Sequence, residues 1–258
     1  VPAWLNEDKF LSKLNVAHRE LLRNRIRFSL SVEYNAEDLG SPDPEWKGEN
    51  PRGIQAAKHE AINLANLAIW LCKPYDFGFD VLFHIDEFDT DKNVRSFQQV
   101  RNLEAHRNYA RMYLQDDDLA KARDVHRTLL SLPRDGAVWI SVYSIWNALR
   151  EPEWATRYLL FWITLEALFG PEDAREITFR LSQRIGFFLA QSRPDALPIF
   201  EKAKKGYHWR SKVVHGLHLS RLKQDESIQL SFDAEDLAQK SIFKILTTPG
   251  LIDEFNNR

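Results

Sequence analysis

The 258-residue sequence predicts a mainly α fold, a C-terminal helical bundle preceded by a smaller α+β portion. Three observations carry that expectation. Apolar residues recur at helical spacing through most of the second half, and the two segments with clean two-residue alternation both lie in the first. A 44% hydrophobic and 12% aromatic composition supplies a core that needs no disulfide support. The boundary falls near 95–117, which gives an α+β portion of unassigned role over 1–113 and a helical bundle over 114–258.

Residues 8–23 have helical spacing. Arg25 to Tyr34 (RIRFSLSVEY) then alternates, with Ile26, Phe28, Leu30 and Val32 on one face of a half-buried strand. A polar loop containing Gly40, Pro42, Pro44, Gly48 and Pro51 follows, and Gln55 to Leu71 returns to helical spacing. A second strand is predicted over Phe79 to Glu87, where Phe79, Val81, Phe83 and Ile85 alternate with more polar neighbours. After about Val94 the strand signals almost vanish.

In the second half, Asp116, Asp117 and Asp118 supply N-cap character and favourable negative charge for a helix running to about Leu130. Gly136 to Leu149 is an apolar helix. Pro152 to Phe169 is another, opened by a proline suited to a first turn and closed by Gly170 and Pro171. Further helices are predicted at 174–191, 195–219 and 233–247. Trp154, Tyr158 and Trp162 stand at i, i+4, i+8, the spacing of a core stripe.

One methionine and one cysteine are present. Cys72 has no internal disulfide partner, so a reducing, cytoplasmic setting is expected, and its apolar helical context (AIWLCKP) predicts a packed thiol. The longest apolar run, Tyr158 to Phe169, is interrupted by Glu166 and falls short of the roughly 20 residues a membrane span needs. No membrane association is expected, and the opening VPAWLNEDKF lacks the apolar core of a signal peptide.

The net charge of −2 hides an asymmetry. Arg175 to Lys223 holds eleven Lys/Arg against three acidic residues, a local excess of eight, whereas the rest of the chain is acidic. Such a segment can attract a polyanion, and it is equally compatible with a solvated helical surface balanced by the acidic half. Arg180, Arg184, Lys204, Lys205, Tyr207 and His208 are the candidate nucleic-acid contacts within it.

The stretch YHWRSKVVHG, Tyr207 to Gly216, ends this segment. On a helical wheel Trp209, Val213, Leu217, Val214 and Tyr207 form one arc with Arg210 inside it, while His208, Ser211, Lys212, His215 and His218 share the other side. A guanidinium on the buried side of a helix requires an anion, either a carboxylate such as Glu166 or a phosphate. Glu166 poses the reciprocal problem, since a carboxylate on a helix apolar nearly all round is costly to bury unpaired. His215 lies ~140° around the helix from Arg210. Just before Gly216, it can cap the helix as a dipole-stabilised cation, or it can act as an acid or base.

The ordered set FWITLEALFG, EITFRLSQRIGFFLA and YHWRSKVVHG resembles the Apea-like branch of the HEPN superfamily, with an R-x4-H motif at Arg210 and His215. The resemblance covers roughly 154–220 and does not extend to the first hundred residues. It implies an all-helical domain, a homodimer in which two such motifs meet, and metal-independent RNA cleavage in antiphage defence or a toxin-like system. Arg210 would hold phosphate and His215 would act as general acid/base. Ser211, Lys212 and Glu166 would support them, and a regulatory partner protein is compatible with such a system. Many catalytic members place Asn, Asp or His directly after the arginine, where this chain has Ser211. A non-catalytic helical module that binds RNA, a nucleotide or a protein is the competing reading, with Arg210 paired to Glu166 and His215 capping its helix.

Other chemistry is weakly represented. His215 and His218 share a helix face, but no Cys or carboxylate lies close in sequence to complete a zinc set. The acidic run Asp76, Asp80, Asp86, Glu87, Asp89 and Asp91 straddles a strand and does not match a calcium loop. No phosphate-binding glycine loop or nucleophile elbow is present, and no cofactor is expected.

Overall fold

The computed structural model describes residues 16, 19, 51–74, 81–88, 91–99, 114–171, 176–216 and 222–257. The strand expected at 25–34 lies outside them, and of the helix expected at 8–23 only Val16 and Arg19 are described, both helical. The described residues are mainly α-helical. The chain divides into two compact units, Val1–Asn63 with Phe79–Arg101, and Leu64–Gly78 with Asn102–Arg258.

Helix α1 spans Pro51–Cys72 and begins four residues earlier than its apolar periodicity, because the fixed φ of Pro51 suits a first helical position. From Leu64 onwards it belongs to the second unit. In the first unit, β1 (Val81–Phe88) pairs antiparallel with β2 (Asp91–Gln99). The sequence signal for β2 was obscured by a bulge. His84 pairs with Ser96 and Ile85 with Val94, so Arg95 is extra, and the apolar positions Val94 and Phe97 are three apart instead of two.

The second unit contains α2 (Asp116–Leu130), α3 (Ala137–Arg150), α4 (Trp154–Phe169), α5 (Ile177–Leu189), α6 (Arg193–Val214), α7 (Gln224–Thr247) and α8 (Leu251–Asn256). Gln115, not an aspartate, occupies the cap position of α2. Asp118 instead accepts the Gln115 N–H at 3.0 Å and the Lys73 ammonium at 2.7 Å, which ties the end of α1 to the start of α2. Those contacts, led by the Lys73 hydrogen bond, hold its carboxyl below the usual range.

Helix α4 is the centre of the bundle and packs against α3, α5, α6 and α7. Its Tyr158, Phe161, Trp162 and Leu165 are fully buried, as are Ile145 and Leu149 of α3, Leu181 and Ile185 of α5, and Ala238, Ile242 and Ile245 of α7. Between α3 and α4 the hydroxyls of Ser141 and Thr164 each donate to the other residue's carbonyl, at 3.2 and 3.3 Å. Two charged side chains reach the same depth, Arg157 of α4 and Glu235 of α7, and Arg157 Nε donates to the Glu151 carbonyl at 2.7 Å.

The last helix was not anticipated from the sequence. Helix α8 buries Phe255 edge-on against Phe169 and Phe188, with centroid distances of 5.6 and 5.4 Å. Its Asn256 accepts the backbone N–H of Val138 at 3.1 Å, capping α3 from a residue 118 positions away where Gly136 has no side chain to do so.

Candidate functional site

The candidate site grows from the contact between α4 and α6. Gly206 lets the two backbones approach closely, since a Cβ there would stand 2.5 Å from the Trp162 ring. The Tyr158 hydroxyl donates to the Gly206 carbonyl in the same contact. One turn further along each helix stand Glu166, four residues after Trp162, and Arg210, four after Gly206. The register fixed at Gly206 therefore brings the carboxylate and the guanidinium together.

Arg210 Nη2 donates to Glu166 Oε2 at 2.9 Å, with the two side chains 28% and 23% exposed. Arg210 Nε is buried and has no hydrogen-bond partner among the described residues. Tyr207 completes the group. Its ring is 6% exposed, packed edge-on by Trp162 at 5.4 Å, and the Arg210 guanidinium carbon lies 5.7 Å from its centre. Burial first, and then the neighbouring Glu166 carboxylate, push the Tyr207 phenol up to about 12, against a smaller opposing effect of Arg210.

His215 occupies a different setting. Helix α6 ends at Val214, five residues short of the predicted end, because Gly216 adopts a left-handed conformation with φ +62°. His215 is the exposed C-cap residue, and its backbone N–H donates to the Ser211 carbonyl at 3.3 Å. Arg210 is on the α4-facing side of the helix and His215 on the solvent side. Val214, grouped by the wheel with the apolar arc, is 47% exposed.

The remaining predicted residues separate into two groups. Lys204, Lys205, His208 and Ser211 are exposed on α6, and Lys212 lies 4.2 Å above the half-buried Trp209 ring. Arg180 approaches Glu176 at 3.9 Å on the surface of α5. Arg184 donates to the carbonyls of Phe169 and Gly170 at 3.1 and 3.0 Å, so it caps the C-terminus of α4. Tyr207, also a candidate nucleic-acid contact, is 6% exposed, with its ring covered by Trp162.

Sequence reasoning missed Gly206 and the use of Tyr158 and Trp162 to set the helix register. An isolated glycine inside a helical pattern, 44 residues after a tryptophan, was the only trace of that contact. His218 lies outside the described residues, and among those described no group of three or more His, Cys, Asp or Glu could hold a metal ion. No described helix is long and apolar enough to cross a membrane. No protein-family model, curated protein or solved structure matches the chain.

Proposed function

We propose that the chain is a metal-independent endoribonuclease of HEPN type, acting in antiphage defence or a toxin-like system, with Arg210 holding phosphate and His215 as general acid/base. The observation that carries this reading is the state of Arg210. Glu166 engages Nη2 and sets the direction of the guanidinium, while Nε has no partner among the described residues. The exposed Lys204 and Lys205 and the half-buried Lys212 supply cationic surface along the same helix for an RNA backbone, with His208 exposed beside them.

The chemistry follows from the side chains. The imidazole of His215 removes the proton of a ribose 2′-hydroxyl, whose oxygen attacks the adjacent phosphorus. Arg210 hydrogen bonds to the phosphoryl oxygens and stabilises the added charge of the pentacoordinate transition state. The bond to the 5′-oxygen breaks, that oxygen takes a proton from an imidazolium, and a 2′,3′-cyclic phosphate remains. Because Arg210 and His215 face different sides of α6, a second copy of the chain completes the site in this reading.

Incubating a labelled RNA pool with the unmodified chain and with Arg210→Ala and His215→Ala tests it. Cleavage falling by about 100-fold or more in each variant, insensitive to chelators, is the expected result. Variants that cut as fast as the parent exclude the assignment. The 2.9 Å Glu166–Arg210 pair and the cap position of His215 favour a second reading, a non-catalytic RNA- or protein-binding module. It predicts binding without cleavage.

A further inference from the structure

We propose that Phe179 is a base-stacking site, from which a single strand of RNA runs along the exposed face of α6, past Lys204 and His208, towards His215. The inference rests on the RNA reading above and deepens it. The strand taken is single, because a base inside a duplex is already stacked on both faces.

Phe179 of α5 is 48% exposed, yet its ring is held: Phe200 of α6 meets it at 5.5 Å with 73° between the ring planes. The ring is braced from α6 while about half of the residue stays open to solvent. The Lys204 ammonium lies 5.5 Å from the centre of the Phe200 ring, which sets a cation beside the aromatic pair. At ~100° per residue Phe200, Lys204, His208 and Ser211 fall within ~80° of arc on α6, and the last three are exposed. His215 follows on the solvent side at the helix cap, about 22 Å along the axis from Phe200. Charge selects the occupant. Between residues 200 and 215 Glu201 is the only acid. Lys202 and Arg210 are engaged by carboxylates, whereas Lys204 and Lys205 are exposed with no ion pair among the described residues. An open aromatic ring for a base, beside cations for the phosphates, is the chemistry that binds a single strand.

The test measures binding of a labelled, 2′-O-methylated strand, which has no 2′-hydroxyl proton to lose, to the full chain. Phe179→Ala is expected to weaken that binding about tenfold, the scale of one stacked base. Phe179→Leu keeps apolar bulk against Phe200 and so separates stacking from folding. It should weaken binding nearly as much, and Phe179→Trp should restore it, with its fluorescence quenched by the strand. A duplex of the same sequence should bind alike to all four chains. Unchanged affinity in Phe179→Ala or Phe179→Leu overturns the proposal, as does a duplex equally sensitive to Phe179 or a parent chain that binds no strand. Sedimentation in which Phe179→Ala dissociates a dimer also overturns it, because the ring would then be a contact between copies. If Phe179→Leu weakens binding while the parent leaves unmodified RNA uncut, the stacking site stands and the ribonuclease reading falls. Cleavage by the parent with binding unchanged in Phe179→Leu means the reverse.

Discussion

Glu166 and Arg210, 44 residues apart in the chain, meet at 2.9 Å across the contact between α4 and α6, with both side chains less than a third exposed. Each satisfies the other's need for a counter-charge beside an apolar interface. Glu166→Gln is expected to lower stability by about 2 kcal/mol, the usual scale for a hydrogen bond between charged groups. Urea unfolding measures it. A change below a few tenths would mean that the pair contributes nothing to holding the two helices.

Gly206→Ala gives a sign test of the helix contact. At an ordinary helical position alanine is about 1 kcal/mol better than glycine. Here its methyl would meet Trp162 at 2.5 Å, and overpacking of that kind costs about 1–3 kcal/mol. A lowered melting temperature is expected, and a raised one would show that α4 and α6 are not held this closely.

Phe255 is 2% exposed between Phe169 and Phe188. Phe255→Ala is expected to cost about 3–4 kcal/mol in equilibrium unfolding. A small loss would show α8 to be peripheral to the bundle.

Alkaline pH should weaken the fold. Burial raises the Cys72 thiol from 9.0 to about 11 and leads the rise of Tyr207 from 10.0 to about 12, while Tyr158 is raised as well. A raised acid binds its proton more tightly in the folded chain. Its stabilising effect is complete below the unfolded value and lost as pH climbs through the folded one. The urea midpoint should therefore fall from about pH 9 upwards, with tyrosinate absorbance rising late. A midpoint level to pH 12 would contradict these environments.

The exposed lysines of α6 make a prediction about RNA that is separate from catalysis. If Lys204 and Lys205 contact phosphate, replacing each with alanine should weaken binding alike across sequences and reduce the salt slope by roughly 0.7 per residue on single strands. An unchanged slope would remove them from the interface.

Much of the bundle was legible because its helices are bounded by local chemistry. Pro152, Gly170 and the apolar periodicity place α4 to within two residues. Helix α7 begins nine residues before its predicted start because its first turns, QDESIQLSF, are mostly polar and carry little periodicity. The helical wheel identified Arg210 as needing an anion, and a carboxylate on an apolar helix identified Glu166, so both halves of the pair could be named. Their meeting could not be derived, because it depends on Gly206 against Trp162, a register between distant segments. Arg184 illustrates the same limit. By composition it belongs to a basic segment, and its partners are backbone carbonyls that carry no side-chain signal.

The Asn256 bond to Val138 gives the fold an order in time. On a ribosome, α3 and α4 emerge long before α8, so the first turn of α3 waits with an unmet amide and the Phe169 ring waits for its neighbour. The bundle can begin to form as those helices appear, but its final closure has to follow the synthesis of residues 255 and 256. A chain arrested shortly before them should be readily cut by proteases near the start of α3, and release past residue 256 should end that sensitivity.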